Sequence, residues 1–211
     1  MLTPVVQWLL LINGALYLAE QFLFAPLLIW FALWPLGLAD AAALGNGVPA
    51  FWPWQLVTYG FLHGGLWHLV LNMYALWLFG TRLEYLWGSR RFAVYYLVCV
   101  IGAALAQMAV SEISLAQGGE AYPVLGASGG VFGVLLAFGL TFPEARLMLL
   151  FPPIPIKAKW FVLIYGAIEL AAGVTGTLEG IAHFAHLGGM VTGVHLLYRW
   201  RLGPWAQGER S

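Results

Sequence analysis

Charge is what this sequence has least of. Only 9% of its 211 residues are Asp, Glu, Lys or Arg, nine basic against nine acidic, where soluble globular proteins carry roughly 25%. So few charges cannot cover a 23.1 kDa globule without wide apolar patches, which excludes a water-soluble domain. Positive charge is not in excess either. The formal net charge is zero and no basic stripe occurs, which excludes the electrostatic footprint of a nucleic-acid binder. Cysteine is nearly absent. Cys99 stands alone in an apolar run, which excludes an intrachain disulfide framework or a thiolate metal cluster and leaves a small buried hydrophobe. What abounds is apolar: 62% of residues are hydrophobic and the mean hydropathy is +0.83. A polytopic membrane protein follows.

A bilayer core of about 30 Å takes roughly 20 mostly apolar residues per helix, somewhat fewer where a helix stops short of one face. Six segments qualify, near 5–24, 66–83, 92–110, 128–142, 160–174 and 184–198. Pro26, Pro35, Pro49 and Pro53 break up the long first connection. Gly118, Gly119 and Pro123 mark the third, and Pro143 with Pro152, Pro153 and Pro155 the fourth. The first segment has no basic leader and no small-residue cleavage pattern, so it is expected to be a retained helix.

All nine basic residues fall on one side of this topology: Arg82, Arg90 and Arg91; Arg146, Lys157 and Lys159; Arg199, Arg201 and Arg210. Asp40, Glu112, Glu120 and Glu179 lie on the other. Cytoplasmic loops retain Lys and Arg, so both termini are expected in the cytoplasm and the first, third and fifth connections outside. That pattern, with no targeting segment, points to a bacterial cytoplasmic membrane.

Polar groups inside hydrocarbon are costly and face a cavity or a partner helix. His63 and His68 lie where the first connection enters span two, with Asn72 one turn further in. Ser128 opens span four within Gly126-Ala127-Ser128-Gly129-Gly130-Val131-Phe132-Gly133. His183 and His186 open span six, ahead of Gly188-Gly189. All gather near one external face, on three helices. Span four, at 15 residues, is about 22 Å long at about 1.5 Å per residue, short of a core of about 30 Å. Ser128 is therefore expected several ångströms below the external surface, where irregular backbone survives only in protein or beside a water-filled cavity. The pairs Gly126/Gly130, Gly129/Gly133 and Gly189/Gly193 allow close backbone approach, so spans four and six can touch.

A serine needs a base to take its proton, and histidine is the usual one. A carboxylate often orients that base, but no acidic residue is close in sequence to either motif, so a Ser128–His186 dyad is expected. The oxyanion of a tetrahedral intermediate needs donors. His68 and Asn72, four apart on one helix face, and the Ser128 N–H at a helix start are the candidates.

With these residues in place, the chain resembles the rhomboid intramembrane serine proteases over essentially its full length, in the six-span core form. Gly126-Ala127-Ser128-Gly129 is similar to the family's nucleophile motif, Ala185-His186 with Gly189 to its general-base motif, and His68-xxx-Asn72 to its oxyanion pair. The resemblance implies Ser128 as nucleophile, His186 as general base and later acid, and His68 and Asn72 as oxyanion stabilisers. It implies structural roles for His63, Glu84 and Gly88. Two positions depart from the family. Trp54-Gln55 stands where many members have Trp-Arg, which puts a loop network built on that arginine in doubt. Phe132 stands where some have tyrosine, its ring still able to pack on His186.

Taken alone, a serine among glycines at a helix start is more often an N-cap than a nucleophile; depth and motif reverse that for Ser128. His183 and His186 are spaced as a metal pair, but no HExxH or third ligand cluster appears in the sequence, so a hydrogen-bonded structural role is favoured for His183, and for His195 a structural one. Glu169, in the middle of span five, is a functional candidate by default, against which we favour a protonated, hydrogen-bonded packing residue. Trp30, Trp34, Trp52 and Trp54 crowd the first connection, and indoles favour the membrane interface.

The expected fold is an all-α membrane protein, one rhomboid-like domain over residues 1–211 with six transmembrane helices and a first external loop partly embedded in the membrane. The expected function is a serine endopeptidase that cleaves transmembrane-helix substrates near the external face through an acyl-enzyme on Ser128. No cofactor, metal or nucleic acid is expected; the partners are transmembrane proteins and the lipid bilayer. Span five and the Trp-rich loop are both candidates for lateral gate and membrane anchor. The rivals are a catalytically silent rhomboid-like client-binding protein and a small-solute or metal transporter.

Overall fold

The computed structural model describes residues 2–38, 49–148, 153–175 and 182–204; Asp40, Glu179 and Arg210 lie outside them. In chain order the helices are α1 (Pro4–Phe31), α2 (Gln55–Thr58), α3 (Leu66–Ala75), α4 (Thr81–Trp87), α5 (Ser89–Ala116), α6 (Ser128–Thr141), α7 (Ala158–Thr175) and α8 (His183–Arg199). A π-helical turn, Leu76–Gly80, joins α3 to α4, so residues 66–87 form one rod with a widened turn. Among the described residues, α1, α5 and α7 are long and apolar enough by themselves to cross a membrane, and α6 is a shorter apolar helix.

α1 runs seven residues beyond the expected end at residue 24. Pro26 lies inside it, and Leu23 takes the non-helical angles φ −125°, ψ 31°. A proline in a helix loses its own N–H bond and crowds the carbonyl four residues back, so it kinks the helix here and does not end it. The N-terminus of α1 is capped from a distance: the Val5 and Val6 N–H groups each donate to the Glu84 carboxylate at 2.9 Å, and the Ser89 hydroxyl donates to it at 2.6 Å. The four carbonyls at the other end are received by the first loop. The Trp34 indole N–H and the Ala32 N–H donate to Leu28, the Trp54 indole N–H to Trp30, and the Thr58 hydroxyl to Phe31. The Gln55 amide reaches Ile29 and Trp30 at 3.5 Å. Gln55 is fully buried and also accepts from the Trp34 N–H. The network put in doubt by the loss of arginine is thus built by a neutral amide. Helix ends otherwise leave these groups without partners.

α6 sits at the centre, packed on α5, α7 and α8. Between 129 and 139 every residue but Phe132 is buried, as for a helix apolar on all sides. Two contacts fix its start. Leu33 and Val124 exchange backbone hydrogen bonds at 2.9 Å, and the Gly126 N–H donates to the Tyr59 carbonyl at 2.9 Å. The first loop therefore clamps the strand-like approach to Ser128.

Between α6 and α7 the structure has an antiparallel hairpin, β1 (Arg146–Met148) with β2 (Pro155–Lys157), where only a proline-broken connection was expected. Three-residue strands beside a proline cluster carry too little alternation to be read from sequence. At the base of the hairpin Glu144 pairs with Lys157 at 2.7 Å and with Lys159. Hydrogen bonds from the two ammonium groups hold its carboxyl down at about 2.

Candidate active site

Ser128 is the first residue of α6, so its N–H has no intrahelical acceptor, and His186 lies in the first turn of α8. Their approach depends on glycine. A Cβ built on Gly189 would run into the Gly129 carbonyl oxygen, so α6 and α8 meet backbone to backbone. In that contact the Ser128 hydroxyl lies within hydrogen-bond distance of His186 Nε2, at 2.7 Å. The Phe132 ring, one turn along α6, stacks flat on the imidazole, with centroids 4.2 Å apart at 6°, which fixes the ring plane.

The other face of His186 differs from the expected dyad. Its Nδ1 lies 2.8 Å from Glu169 Oε2, and His183 Nδ1 lies 2.6 Å from the same oxygen. All three residues are buried. Glu169, favoured from sequence as a packing residue, is therefore in contact with the candidate base. Its place inside an apolar helix marked it as a candidate but named no partner. Glu169 lies six residues before the end of α7, about 9 Å down at about 1.5 Å per residue, and His186 lies three residues into the next helix. Sequence proximity was the wrong criterion for a partner on a neighbouring span.

His68 and Asn72 lie on α3, facing the same cavity. Gly126 carries a φ of +131°, a conformation that suits only glycine, and a Cβ there would stand 2.8 Å from His68 Nε2 and 3.7 Å from Ser128 Oγ. The bare glycine thus lets the His68 ring and the serine share one corner. Asn72 donates one amide hydrogen to the His68 carbonyl at 2.8 Å; its second amide hydrogen is not used by that bond. His63 is buried behind His68, with the rings edge to face at 5.1 Å, and its backbone N–H donates to the Glu20 carboxylate. Burial, with the neighbouring His68, lowers the His63 ring to about 4, so it is neutral at physiological pH.

Glu169, His183 and His186 also form a group whose potential ligand atoms lie within 4.8 Å of one another. The two nitrogen–oxygen separations, however, are hydrogen-bond distances. Ligands about 2.0–2.1 Å from a tetrahedral zinc stand about 3.3 Å from each other, so an ion would have to spread these groups and break both bonds.

Ser128, His68, Asn72, Phe132, Glu169 and His186 line one cavity of about 1000 Å³. Its walls continue along α3 through Leu71 and Tyr74 into Leu78 of the π-helical turn, and along α7 through Phe161 and Tyr165. Such a site can polarise a hydroxyl at one end of a largely apolar groove.

The family model for the Rhomboid domain matches residues 51–202, most of the chain. The chain is 31% identical over 224 aligned positions to Rhomboid protein 1, mitochondrial, of Saccharomyces cerevisiae, an alignment that takes in 94% of this chain and 63% of the yeast protein. It is 34% identical over 140 positions to Rhomboid protease GluP of Bacillus subtilis, covering 66% of this chain and 24% of that protein. Presenilin-associated rhomboid-like protein A, mitochondrial, of Danio rerio is 34% identical over 140 positions, covering 66% and 35%. The chain spans less than two thirds of the length of each of these relatives. Mitochondrial proteins stand beside a bacterial one among them, so the comparison supports a multi-pass membrane protein without singling out the bacterial membrane. On the domain match and the yeast relative together, this chain belongs to the rhomboid family, which includes serine intramembrane proteases.

Proposed function

We propose that the protein is an intramembrane serine endopeptidase with Ser128 as nucleophile and His186 as general base. The observation that carries this reading is the 2.7 Å hydrogen bond between the Ser128 hydroxyl and His186 Nε2 at the wall of a cavity running between α3 and α7. Ser128 Oγ attacks the scissile carbonyl carbon while its proton passes to Nε2. The carbonyl oxygen becomes an oxyanion, received by the Ser128 N–H, the His68 ring and the second amide hydrogen of Asn72. As the intermediate collapses, the C–N bond breaks, His186 returns the proton to the leaving amine, and an ester remains on Ser128. Water then attacks that ester, giving a proton to Nε2; the C–Oγ bond breaks, the new carboxyl end of the substrate leaves, and His186 returns the proton to Ser128 Oγ.

The substrate is a transmembrane helix. A helix hides its carbonyls in its own hydrogen bonds, so the segment cut must unwind easily, and Gly or other breakers near the external face favour it. Leu71, Tyr74 and Leu78 on one side and Phe161 and Tyr165 on the other make an apolar stretch of the cavity wall, which favours access between spans two and five. In this reading the chain crosses the membrane six times, with the basic loops in the cytoplasm. The stacked indoles of Trp30, Trp52 and Trp54 lie in the outer interface.

Purified protein in liposomes with a transmembrane substrate tests this. Wild type is expected to release two fragments and Ser128→Ala none; cleavage that persists in Ser128→Ala sinks the mechanism.

A further inference from the structure

We propose that Glu169 positions the general base, so that the Ser128–His186 pair works as part of a four-residue relay. In it one Glu169 oxygen holds the His186 ring by its Nδ1–H and is itself held by the Nδ1–H of His183. This inference rests on the protease reading of the same site.

Three features of the geometry carry it. First, Glu169 Oε2 lies within hydrogen-bond distance of two ring nitrogens, 2.6 Å from His183 and 2.8 Å from His186. A single oxygen has at most one proton to give, so at least one imidazole donates to it, and an ionised carboxylate accepts from both. Second, which nitrogen of a histidine carries the proton is set by the bond the other nitrogen makes. With Nδ1–H committed to Glu169, Nε2 carries the lone pair, and it is Nε2 that faces the Ser128 hydroxyl at 2.7 Å. That is the tautomer that can accept the serine's proton. Third, all three residues are buried, where water competes little and hydrogen bonds are strong. When His186 becomes an imidazolium, Glu169 stands against it. Without the carboxylate that cation would form unpaired in a buried site, at high cost.

His183 has a part in this. It gives Oε2 a second donor from the same helix as His186, which orients the carboxylate between two rings one turn apart. The arrangement joins α7 to α8 beside the cavity, so the base is held by the helix that also forms one wall of the substrate channel.

Glu169→Gln is the informative change because it keeps the shape and exchanges an acceptor for a group that can donate. An amide hydrogen aimed at Nδ1 favours the Nε2–H form, which points the proton at Ser128. In the full-length protein, kcat toward a transmembrane substrate is expected to fall by about 10²- to 10⁴-fold, the scale seen when a serine protease base is left in the wrong tautomer. KM is expected to stay within about twofold, and Glu169→Asp is expected to recover part of the rate. Imidazole ¹⁵N NMR supplies a readout that does not depend on turnover: His186 is expected as Nδ1–H in wild type and as Nε2–H in Glu169→Gln. A role in packing alone would lower the folded fraction and leave both kcat per folded molecule and the tautomer unchanged.

The inference is overturned if Glu169→Gln retains wild-type kcat, or if His186 is Nε2–H in the wild type, a result that holds even should the variant not fold. A wild-type rate abolished by chelation and restored by zinc also overturns it, in favour of a metal at these three residues. If wild type cleaves, Ser128→Ala does not, and Glu169→Gln matches wild type, the inference fails alone. A tautomer switch in a protein that never cleaves would instead sink the protease reading.

Discussion

Asn72 is the residue whose assigned task differs most from its bonding in the free structure. One amide hydrogen is engaged by the His68 carbonyl one turn back, which holds the side chain against its helix at the cavity wall and leaves the second hydrogen outside that bond. A donor held in advance costs no reorganisation when the oxyanion forms. Asn72→Ala is expected to lower kcat by about ten- to a thousand-fold with little change in KM; a rate equal to wild type, measured on the same transmembrane substrate, would remove Asn72 from that task. At the same scale, Ser128, His186, His68 and Asn72 stood out as candidates because each interrupts an apolar run, and the fold brings all four to one cavity. Glu169 was visible as an intramembrane carboxylate, but its partner was not. Nothing in a linear sequence pairs residue 169 with 183 and 186 until α7 and α8 are laid side by side.

Among the elements, α1 shows how far local stability is supplied from elsewhere. It has no capping hydrogen bond from Thr3, and the N–H groups of Val5 and Val6 are received by Glu84, almost eighty residues away. An acidic group at a helix N-terminus also complements the helix dipole. Glu84→Ala leaves two amide hydrogens and the Ser89 hydroxyl without this acceptor and is expected to cost about 1–3 kcal/mol. That cost is read as a lower thermal midpoint in detergent, with kcat per folded molecule unchanged; an unaltered midpoint would show that water or another group serves the helix end equally well. The apolar helices themselves were legible because hydropathy over roughly 20 residues is a strong signal. The π-helical turn at Leu76–Gly80 and the hairpin β1–β2 were not. A π turn inserts no unusual residue type. The hairpin is fixed by backbone pairing over three residues, too few to show a period.

At the scale of the whole molecule, scarce charge takes on a division of labour. Glu84 holds the start of α1, and Glu20 holds the backbone of His63. Glu112 receives the N–H groups of Leu36 and Gly37 in the first loop. Each of these carboxylates ties a loop or a helix end to a different helix, where unmet backbone groups would be costly away from water. Glu169 alone among these four reaches the candidate base, and the cavity of about 1000 Å³ brings Ser128, His186 and a channel wall of aromatic side chains into one space. The central claim is that Ser128 is a nucleophile activated by His186. Its most direct measurement is reaction of the membrane-embedded protein with a fluorophosphonate, the adduct located by peptide mass spectrometry. One adduct is expected, on Ser128, lost when His186 is replaced by alanine. Labelling of a different residue, or undiminished labelling of Ser128 without His186, would contradict it.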